Sequence, residues 1–462
     1  MFERRASRRR FLTGLTATAA PLVLSPNALA TSARQSRAFS VPAIRQNVEL
    51  RLWILKTYVE PTNLAIEASA QRWAEQNNAT VTIEYFTFED MQTKYVAAIE
   101  NGNTPDIGQL ETGAPARFSG MGQLMDLTEF AQQIQGEVGT LPENIASVAT
   151  IGDQTFALPW YVMPAFWYVW RDVLEANNVP LPETYEDVLE IAAAVTRPDE
   201  GFWGLGHSWN RTSDGYGVMQ SLMYSYGARW ANEEGAYQSI QTPEMQAAMQ
   251  WAADIYEGDL QPSDALSWTG SSNNEAFAAK KIAQTSNGPS VTYALETAVA
   301  EAQDAEDRKA REAALENHLA LPHPAGPDGR RMWSIAMSFG IFNNTQHPDE
   351  AMDLVRHLLS PDETLSVMEG SFGQFVPILD KAREASRDYF MSKGPNYETF
   401  YNSVDDFAPT GWPGSPTPAA AEVQASNILT DMPARVIIDG QSVEEAIEFG
   451  DERIKEIYDS LS

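Results

Sequence analysis

The first third of the chain alternates between strand-like and helix-like stretches. Val48–Leu55 and Val81–Phe88 are rich in β-forming residues, and each predicts a strand. Apolar residues at helical spacing follow them, after Pro61 and over Phe88–Glu100. A short third strand is expected at 105–111. Strands that alternate with helices predict an α/β fold, in which helices cover a parallel sheet.

One apolar run stands out from this alternation. Residues 156–170 contain three Trp, two Tyr and two Phe, without charge or glycine. The run is too short to span a bilayer, which needs about 20 apolar residues. Dense aromatic residues are typical of a buried strand or of a ligand-binding wall. We expect a crossing between two lobes at Phe156–Pro159, a cleft floor at Trp160 and Tyr161, and a buried strand at Phe166–Trp170.

The remainder of the chain predicts mainly helices with a few strands. Strands are expected at Ile282–Ser286 and Met332–Phe342, and a Gly-spaced aromatic strand and loop at Phe202–Asn210. Residues 291–318 are rich in Ala and Glu and contain no Pro or Gly, so they predict one or two exposed helices. The chain closes with two further helices, at 419–432 and 442–461.

Charge and cysteine content exclude several classes of function. The 462 residues include 63 Asp and Glu against 32 Lys and Arg, a net charge of −31. Nucleic acid is therefore not expected as a partner, because it demands a basic face. The absence of Cys excludes disulfides and thiolate metal sites. The acidic excess also suggests adaptation to salt, which screens self-repulsion.

The N-terminus predicts export from the cytoplasm. Ser7–Thr13 contains consecutive arginines followed by Phe-Leu, Gly14–Leu24 is apolar, and Ala28–Ala30 supplies a small-residue cleavage site. Residues 1–30 thus resemble a twin-arginine signal peptide, and 31–46 predict a flexible lead-in. Without Cys, a lipid anchor is not expected. We expect a free protein of the periplasm.

Catalytic and metal-binding motifs are not recognisable in the sequence. The five His are scattered without ligand spacing, and no cofactor motif occurs. Paired carboxylates, as in glycosidases, carry no signal among so many acidic residues. We therefore expect neither metal nor cofactor, and no enzymatic activity.

Tryptophans at predicted strand ends and turns are the candidate binding residues. Aromatic faces pack against the C–H groups of sugar rings, while sugar hydroxyls need fixed polar partners. Burial in the core is the equally weighted alternative for each ring. The Trp candidates are Trp53, Trp160, Trp209, Trp230, Trp268, Trp333 and Trp412, and the polar ones are Glu111, Asn210, Asn287, Arg331 and Gln374.

The order of several motifs resembles a known family. An export signal precedes a strand that ends in Trp53, followed by Pro-Asp-Ile at 105–107 and a hairpin that ends in Ala-Leu-Pro at 157–159. Asn274–Pro289 and Thr345–Leu359 complete the series. This order resembles the family 1 extracellular solute-binding proteins of ABC importers, which include maltose-binding protein.

The resemblance implies a two-lobed periplasmic-binding-protein fold of type II, with a ligand cleft between lobes joined by hinge crossings. Lobe 1 would comprise 47–158 plus 336–380, and lobe 2 would comprise 159–335 plus 381–462. The protein would capture a mono- or oligosaccharide or a polyol as a monomer and deliver it to ABC permease subunits in the membrane.

Family positions and the Trp analysis together give the expected ligand-binding set. Ser290 stands where the maltose-binding branch has an aromatic residue, which argues against maltodextrin. Two alternatives remain open: the same fold binding a polyamine, an osmolyte or a metal chelate, and a secreted glycoside hydrolase. The expected set is Trp53, Glu111, Thr112, Trp160, Tyr161, Trp209, Trp230, Asn287, Trp333, Gln374 and Trp412.

Overall fold

A computed structural model describes residues 48–57 and 59–461. The predicted export signal (1–30) and the lead-in (31–46) lie outside the described residues. The strands are β1 (Glu49–Leu55), β2 (Thr80–Phe86), β3 (Ile107–Glu111), β4 (Thr150–Ile151), β5 (Gln154–Thr155), β6 (Leu158–Pro164), β7 (Phe166–Trp170), β8 (Gln284–Asn287), β9 (His318–Leu321), β10 (Ser334–Ile341) and β11 (Val376–Pro377).

Helices surround these strands along the whole described chain. They are α1 (Glu60–Asn77), α2 (Phe88–Glu100), α3 (Ala114–Gly120), α4 (Thr128–Val138), α5 (Glu143–Ala146), α6 (Arg171–Ala176), α7 (Tyr185–Val195), α8 (Ser213–Tyr226), α9 (Pro243–Glu257), α10 (Ser272–Ala278), α11 (Ser290–Ala300), α12 (Ala305–Asn317), α13 (Pro348–Leu358), α14 (Pro361–Gly370), α15 (Asp380–Ser392), α16 (Pro395–Asn402), α17 (Pro418–Ala425), α18 (Ile428–Ile437) and α19 (Val443–Leu461).

A six-stranded sheet forms the first layer, in the order β11-β6-β10-β3-β1-β2. Strands β1, β2 and β3 are parallel, whereas β10 runs antiparallel to both β3 and β6. Every residue of β6 and of β10 is buried, because helices cover both faces at the centre of the sheet. The expected α/β fold is confirmed.

A smaller sheet, β8-β7-β9, forms a second centre of packing. The chain leaves the first sheet at Pro164 and enters the second at Phe166, so it changes sheets at Ala165. We expected this crossing earlier, at Phe156–Pro159. That placement is wrong, because Leu158–Pro164 pairs with β10 inside the first sheet.

Most predicted elements occur where the pattern placed them, including two helices in 291–318. The strand expected at Phe202–Asn210 is wrong. A Cβ on Gly204 would lie 2.3 Å from the Cα of Ala192, so this segment is pressed against α7. Its backbone bonds instead to separate partners, such as Lys281 and Leu260. Gly in a strand-like pattern marks such close backbone approach.

The described ranges hold no helix with the length and apolar content needed to cross a membrane. Within the same ranges, no three His, Asp or Glu residues are grouped as metal ligands.

Candidate ligand-binding groove

Strand ends from both sheets meet at one place. In the register of the first sheet, Met337 lies opposite Glu111 at the end of β3, and Ser334 lies opposite Pro164 at the end of β6. In the second sheet, Phe166 lies opposite Asn287 at the end of β8. Because β7 follows β6 after one residue, these strand ends are brought together. Ligands of open α/β sheets bind at such edges.

A cavity of about 440 Å³ opens at this junction. Its volume lies within the range of small-molecule sites, roughly 300–1,000 Å³. The start of α8, the end of β8 and one face of α11 form its walls. The lining side chains that carry rings or amides are Tyr293, Trp333, Asn274, Asn287 and Gln374.

A hydrogen-bonded set of polar side chains fixes one wall of this cavity. The Asp214 carboxylate accepts from Asn273 Nδ2 at 3.1 Å and from Asn287 Nδ2 at 3.2 Å. Asn287 Nδ2 also donates to Asn274 Oδ1, and Asn274 Nδ2 donates to Ser290 Oγ at 3.0 Å. These bonds hold three amides and one carboxylate in fixed orientations, as recognition of hydroxyls requires.

Two buried histidines support β8 from behind the cavity. His207 Nδ1 accepts from the Ser286 N–H at 3.3 Å, and His323 Nε2 lies 2.8 Å from Ser286 Oγ. Burial lowers the pKa of each histidine to about 3. Both rings therefore stay neutral at physiological pH, and they position β8 without adding charge.

A second cavity of about 370 Å³ adjoins the first, since Ser213 and Trp333 line both. Glu111 lines it, and its carboxylate accepts from Gln92 Nε2 at 2.6 Å. Burial raises the pKa of Glu111, although the Gln92 bond and the nearby Arg117 oppose that rise. We call the two cavities together the groove.

Trp333 forms the shared wall between the two cavities. Its backbone N–H donates to Ser221 Oγ at 2.8 Å, which attaches it to α8. Gly217 on α8 makes room for the indole, because a Cβ there would lie 2.3 Å from Trp333 Cε3. The Tyr216 ring meets the indole edge-on at 6.2 Å. The ring is thus positioned before any ligand arrives.

Several polar atoms along the groove are buried without a partner. Among the residues that the structure describes, Trp333 Nε1, Gln374 Oε1 and Gln92 Oε1 have no hydrogen-bond partner. Buried polar groups in proteins are nearly always bonded. Unsatisfied groups in the walls of a cavity are therefore typical of a binding site whose partner is a ligand.

Four residues of the expected set come together here. Asn287 and Gln374 line the first cavity, Glu111 lines the second, and Trp333 lines both. The expectation that these four bind ligand stays a prediction, since their position alone does not test it.

Trp160 and Tyr161 lie inside the first sheet rather than on a cleft floor. Trp160 is 1% exposed, and its indole N–H donates to Thr364 Oγ1 at 2.9 Å. Tyr161 stacks on Phe375 at 3.6 Å, and its hydroxyl accepts from Gln109 Nε2 at 2.8 Å. The Trp160 indole N–H and the Tyr161 hydroxyl each have a protein partner, so these contacts indicate a structural role.

The remaining five members of the expected set also lie away from the two cavities. Trp53, Trp209 and Thr112 are buried and bonded, to Glu84, Gln261 and Ser334 respectively. Trp230 is buried against Tyr224. Trp412 is half-buried, with the guanidinium groups of Arg229 and Arg331 at 4.3 and 4.7 Å from its ring.

Sequence reasoning missed Asp214, Asn274, Tyr293 and Gln92. A signal for Asp214 is present: Thr212 caps α8 by accepting from the Gly215 N–H at 3.0 Å, which places Asp214 in the first turn. Tyr293 lies one turn along α11 from Ser290, and it presents the aromatic ring that position 290 lacks. Gln92 is a helix-surface residue that only the fold brings to Glu111.

Solved structures share this architecture at low sequence identity. A solute-binding protein of an ABC transporter from Thermotoga lettingae, bound with α-D-tagatose, superposes with a TM-score of 0.73 at 18% identity over 89% of this chain and 100% of that chain. Maltose-bound MalE3 of T. maritima gives 0.71 at 18%, with the same coverage of both chains. The GacH receptor of Streptomyces glaucescens gives 0.72 at 16%, over 90% of this chain and 99% of that chain.

These likenesses confirm the two-lobed periplasmic-binding-protein fold. A comparison with curated protein sequences gives no significant match. The family profile described as bacterial extracellular solute-binding protein matches residues 68–399, which is most of the chain. The chain therefore belongs to the bacterial extracellular solute-binding proteins.

Proposed function

We propose that this protein is the receptor of an ABC importer and binds a carbohydrate in the groove. The observation that carries the proposal is the lining of the first cavity. Two aromatic rings, Trp333 and Tyr293, face a cavity that also presents the amides of Asn274, Asn287 and Gln374. Sugar rings need both elements, since their C–H faces pack on aromatic rings and their hydroxyls bond to fixed amides.

The ligands of the structural relatives support the same class. The relatives described above bind α-D-tagatose, maltose and, for GacH, acarbose. Each of these is a polyhydroxylated molecule. We infer that the groove of this chain takes a ligand of the same general chemistry, either a sugar or a polyol.

The two sheets suggest the lobes that would close on the ligand. We propose lobes close to 47–158 plus 336–380 and to 159–335 plus 381–462, with the first boundary moved to Ala165. Trp333, next to the return into β10, would lie at a second crossing. Hinge closure of such lobes excludes water from the ligand and creates the surface that a permease reads.

The cellular setting follows from the export signal. We propose twin-arginine export, release after Ala30 as a periplasmic protein without a lipid anchor, and delivery of ligand as a monomer to the permease. The groove would act as a receptor rather than as an enzyme. Absence of aryl-glycoside turnover by the purified protein is the expected result.

A thermal-shift screen tests the binding proposal. A saccharide that binds the folded state raises the melting temperature by mass action. We expect at least one mono- or oligosaccharide to do so, and to change tryptophan fluorescence. The Trp333→Phe variant should reduce that fluorescence change, whereas Trp230→Phe, at a buried ring outside the two cavities, should preserve it.

The same screen separates the rival ligands. Polyamines, zwitterionic osmolytes and metal chelates are included beside the sugars. If one of these raises the melting temperature and no saccharide does, the carbohydrate proposal is wrong while the receptor proposal stands.

A further inference from the structure

The charged side chains around the second cavity differ in whether they have a partner of opposite charge. Glu111 presents a carboxylate to it, and among the described residues its hydrogen bond comes from a neutral amide, Gln92. The two arginines that line the same cavity each have a carboxylate partner. Arg117 pairs with Glu422 at 3.2 Å, and Arg211 makes two bonds of 2.8 Å to Asp431.

When the partners Glu422 and Asp431 are counted, three carboxylates face two arginines at the second cavity. An arginine that is already bonded to a carboxylate offers little attraction to a second anion. Glu111 is opposed by Arg117 only at a distance, and burial strengthens its field because the local dielectric is low. An anionic group placed here would meet repulsion, and a cationic group would gain a charged hydrogen bond.

The described lining of the first cavity adds further carboxylates. Its charged lining residues are Asp214 and Glu301, and both are acidic. Asp214 lies in the first turn of α8, where the helix N-terminus stabilises negative charge, and two amides donate to it. Acidic side chains therefore face both cavities of the groove.

The shared wall links the two cavities into one site. Each cavity is large enough for a small ligand. Both are lined by Trp333, which is 8% exposed and whose indole nitrogen is unpartnered among the described residues. A ligand with two rings can pack on this wall while it occupies both cavities.

We propose that Glu111 sets the charge class of the ligand. The groove accepts an oligosaccharide of two or more rings, neutral or with an amino group on the ring beside Glu111, and it rejects sugar acids and sugar phosphates. This inference rests on the carbohydrate-binding function proposed above.

Matched disaccharides test the inference by calorimetry and thermal shift. Neutral, amino and uronic acid forms of maltose, cellobiose and galactobiose are compared, together with the parent monosaccharides. For each disaccharide whose neutral form binds the wild-type protein, we expect the amino form to bind as well. The uronic form should bind with an affinity at least about tenfold lower, since charged hydrogen bonds and like-charge contacts contribute free energies of this size.

Two variants assign the discrimination to Glu111. Glu111→Gln keeps an acceptor for Gln92 and should bring the uronic form to within about threefold of the neutral form. Glu422→Gln leaves Arg117 without its carboxylate partner and should also reduce the discrimination against the uronic form. Glu448→Gln, an exposed carboxylate on α19, is the control and should preserve the wild-type order.

The outcomes separate this inference from the function on which it rests. If neutral disaccharides bind but uronic forms bind equally well, or if Glu111→Gln leaves their ratio unchanged, the charge proposal is wrong and the receptor proposal survives. If monosaccharides bind as tightly as disaccharides, the second cavity is not a subsite. If no saccharide of any charge binds, the carbohydrate proposal itself fails.

Discussion

Trp160 on β6 and Trp333, the residue just before β10, are large aromatic residues at neighbouring strands of one sheet, and both were candidate ligand contacts. Trp160 packs on Phe339 at 4.9 Å, and its indole N–H is bonded to Thr364. Trp333 separates two cavities, and its indole N–H is buried without a partner among the described residues. Both rings are largely buried, so exposure does not separate them.

Hydrogen bonding is what distinguishes the two regions. The Trp160 indole N–H and the Tyr161 hydroxyl each have a protein partner, Thr364 and Gln109. Along the groove, Trp333 Nε1, Gln374 Oε1 and Gln92 Oε1 have no hydrogen-bond partner among the described residues. We infer that an unsatisfied buried group marks a binding site of this protein only where it also lines a cavity, since Trp230 Nε1 and Ser338 Oγ lack partners within the described chain and lie away from both cavities.

The largest expected effect comes from Trp160→Ala. Removal of this buried ring should destabilise the protein by about 3–5 kcal/mol through the cavity left behind. Chemical denaturation measures the change in the free energy of unfolding. Ligand affinity, measured where the variant is still folded, should stay within about threefold of wild type. A large affinity loss in the folded variant would return Trp160 to the binding site.

Trp333→Ala should act mainly on ligand affinity rather than on stability. We expect ligand affinity to fall by roughly 30-fold or more, since loss of a buried aromatic contact at the centre of a site commonly costs about 2 kcal/mol. Calorimetry with the saccharide found in the screen measures this loss. Unchanged affinity in a folded Trp333→Ala protein would contradict the site assignment.

Asp451→Asn tests a satisfied carboxylate. Asp451 on α19 accepts from Tyr237, Ser239, Ile240 and Gln241 at 2.8–2.9 Å. Although burial opposes them, these bonds hold its pKa below the ordinary 3.8. We expect the variant to lose about 1–3 kcal/mol of stability at pH 7, because bonds to the charged carboxylate are lost. Denaturation at pH 7 checks this loss.

The pH dependence of Asp451 has a definite sign. A carboxyl whose pKa is lower in the folded state stabilises the protein above the unfolded pKa, and that stability is lost as the pH falls through the folded pKa. The difference between wild type and Asp451→Asn should therefore narrow below pH 3.8. A constant difference from pH 7 to the acid limit would contradict this account.

Glu111→Gln should have the smallest effect on stability, with the opposite sign. Burial raises the pKa of Glu111 above its ordinary 4.5. Its contribution is favourable below pH 4.5, and it is lost as the pH rises through the folded pKa, so the charged form destabilises the protein at pH 7. The variant should melt slightly higher than wild type at pH 7, and the difference should shrink near pH 4.

A decrease in melting temperature for Glu111→Gln at pH 7 would show that Glu111 is a structural residue like Asp451. The two variants thus compare Asp451, whose carboxylate is hydrogen-bonded within the protein, with Glu111, whose carboxylate faces the proposed ligand site. Opposite signs at neutral pH would confirm the distinction between the two regions.

Local sequence signals determined the elements and the fold class. Helical spacing placed α2, and a run of β-forming residues placed β1, nearly to the residue. The order of the motifs was sufficient to identify the family that the profile confirms. The net charge argued against nucleic acid as a partner, and the absence of Cys excluded disulfides and thiolate metal sites, without any structure.

The tertiary structure decided which aromatic and polar residues meet at the groove. The different roles of Trp160 and Trp333 depend on Thr364, which is 204 residues from Trp160, and on Gly217 beside Trp333. The bond from Gln92 to Glu111 likewise joins α2 to the end of β3. Whether a side chain is satisfied depends on partners distant in sequence, so only the folded chain separates core from binding site.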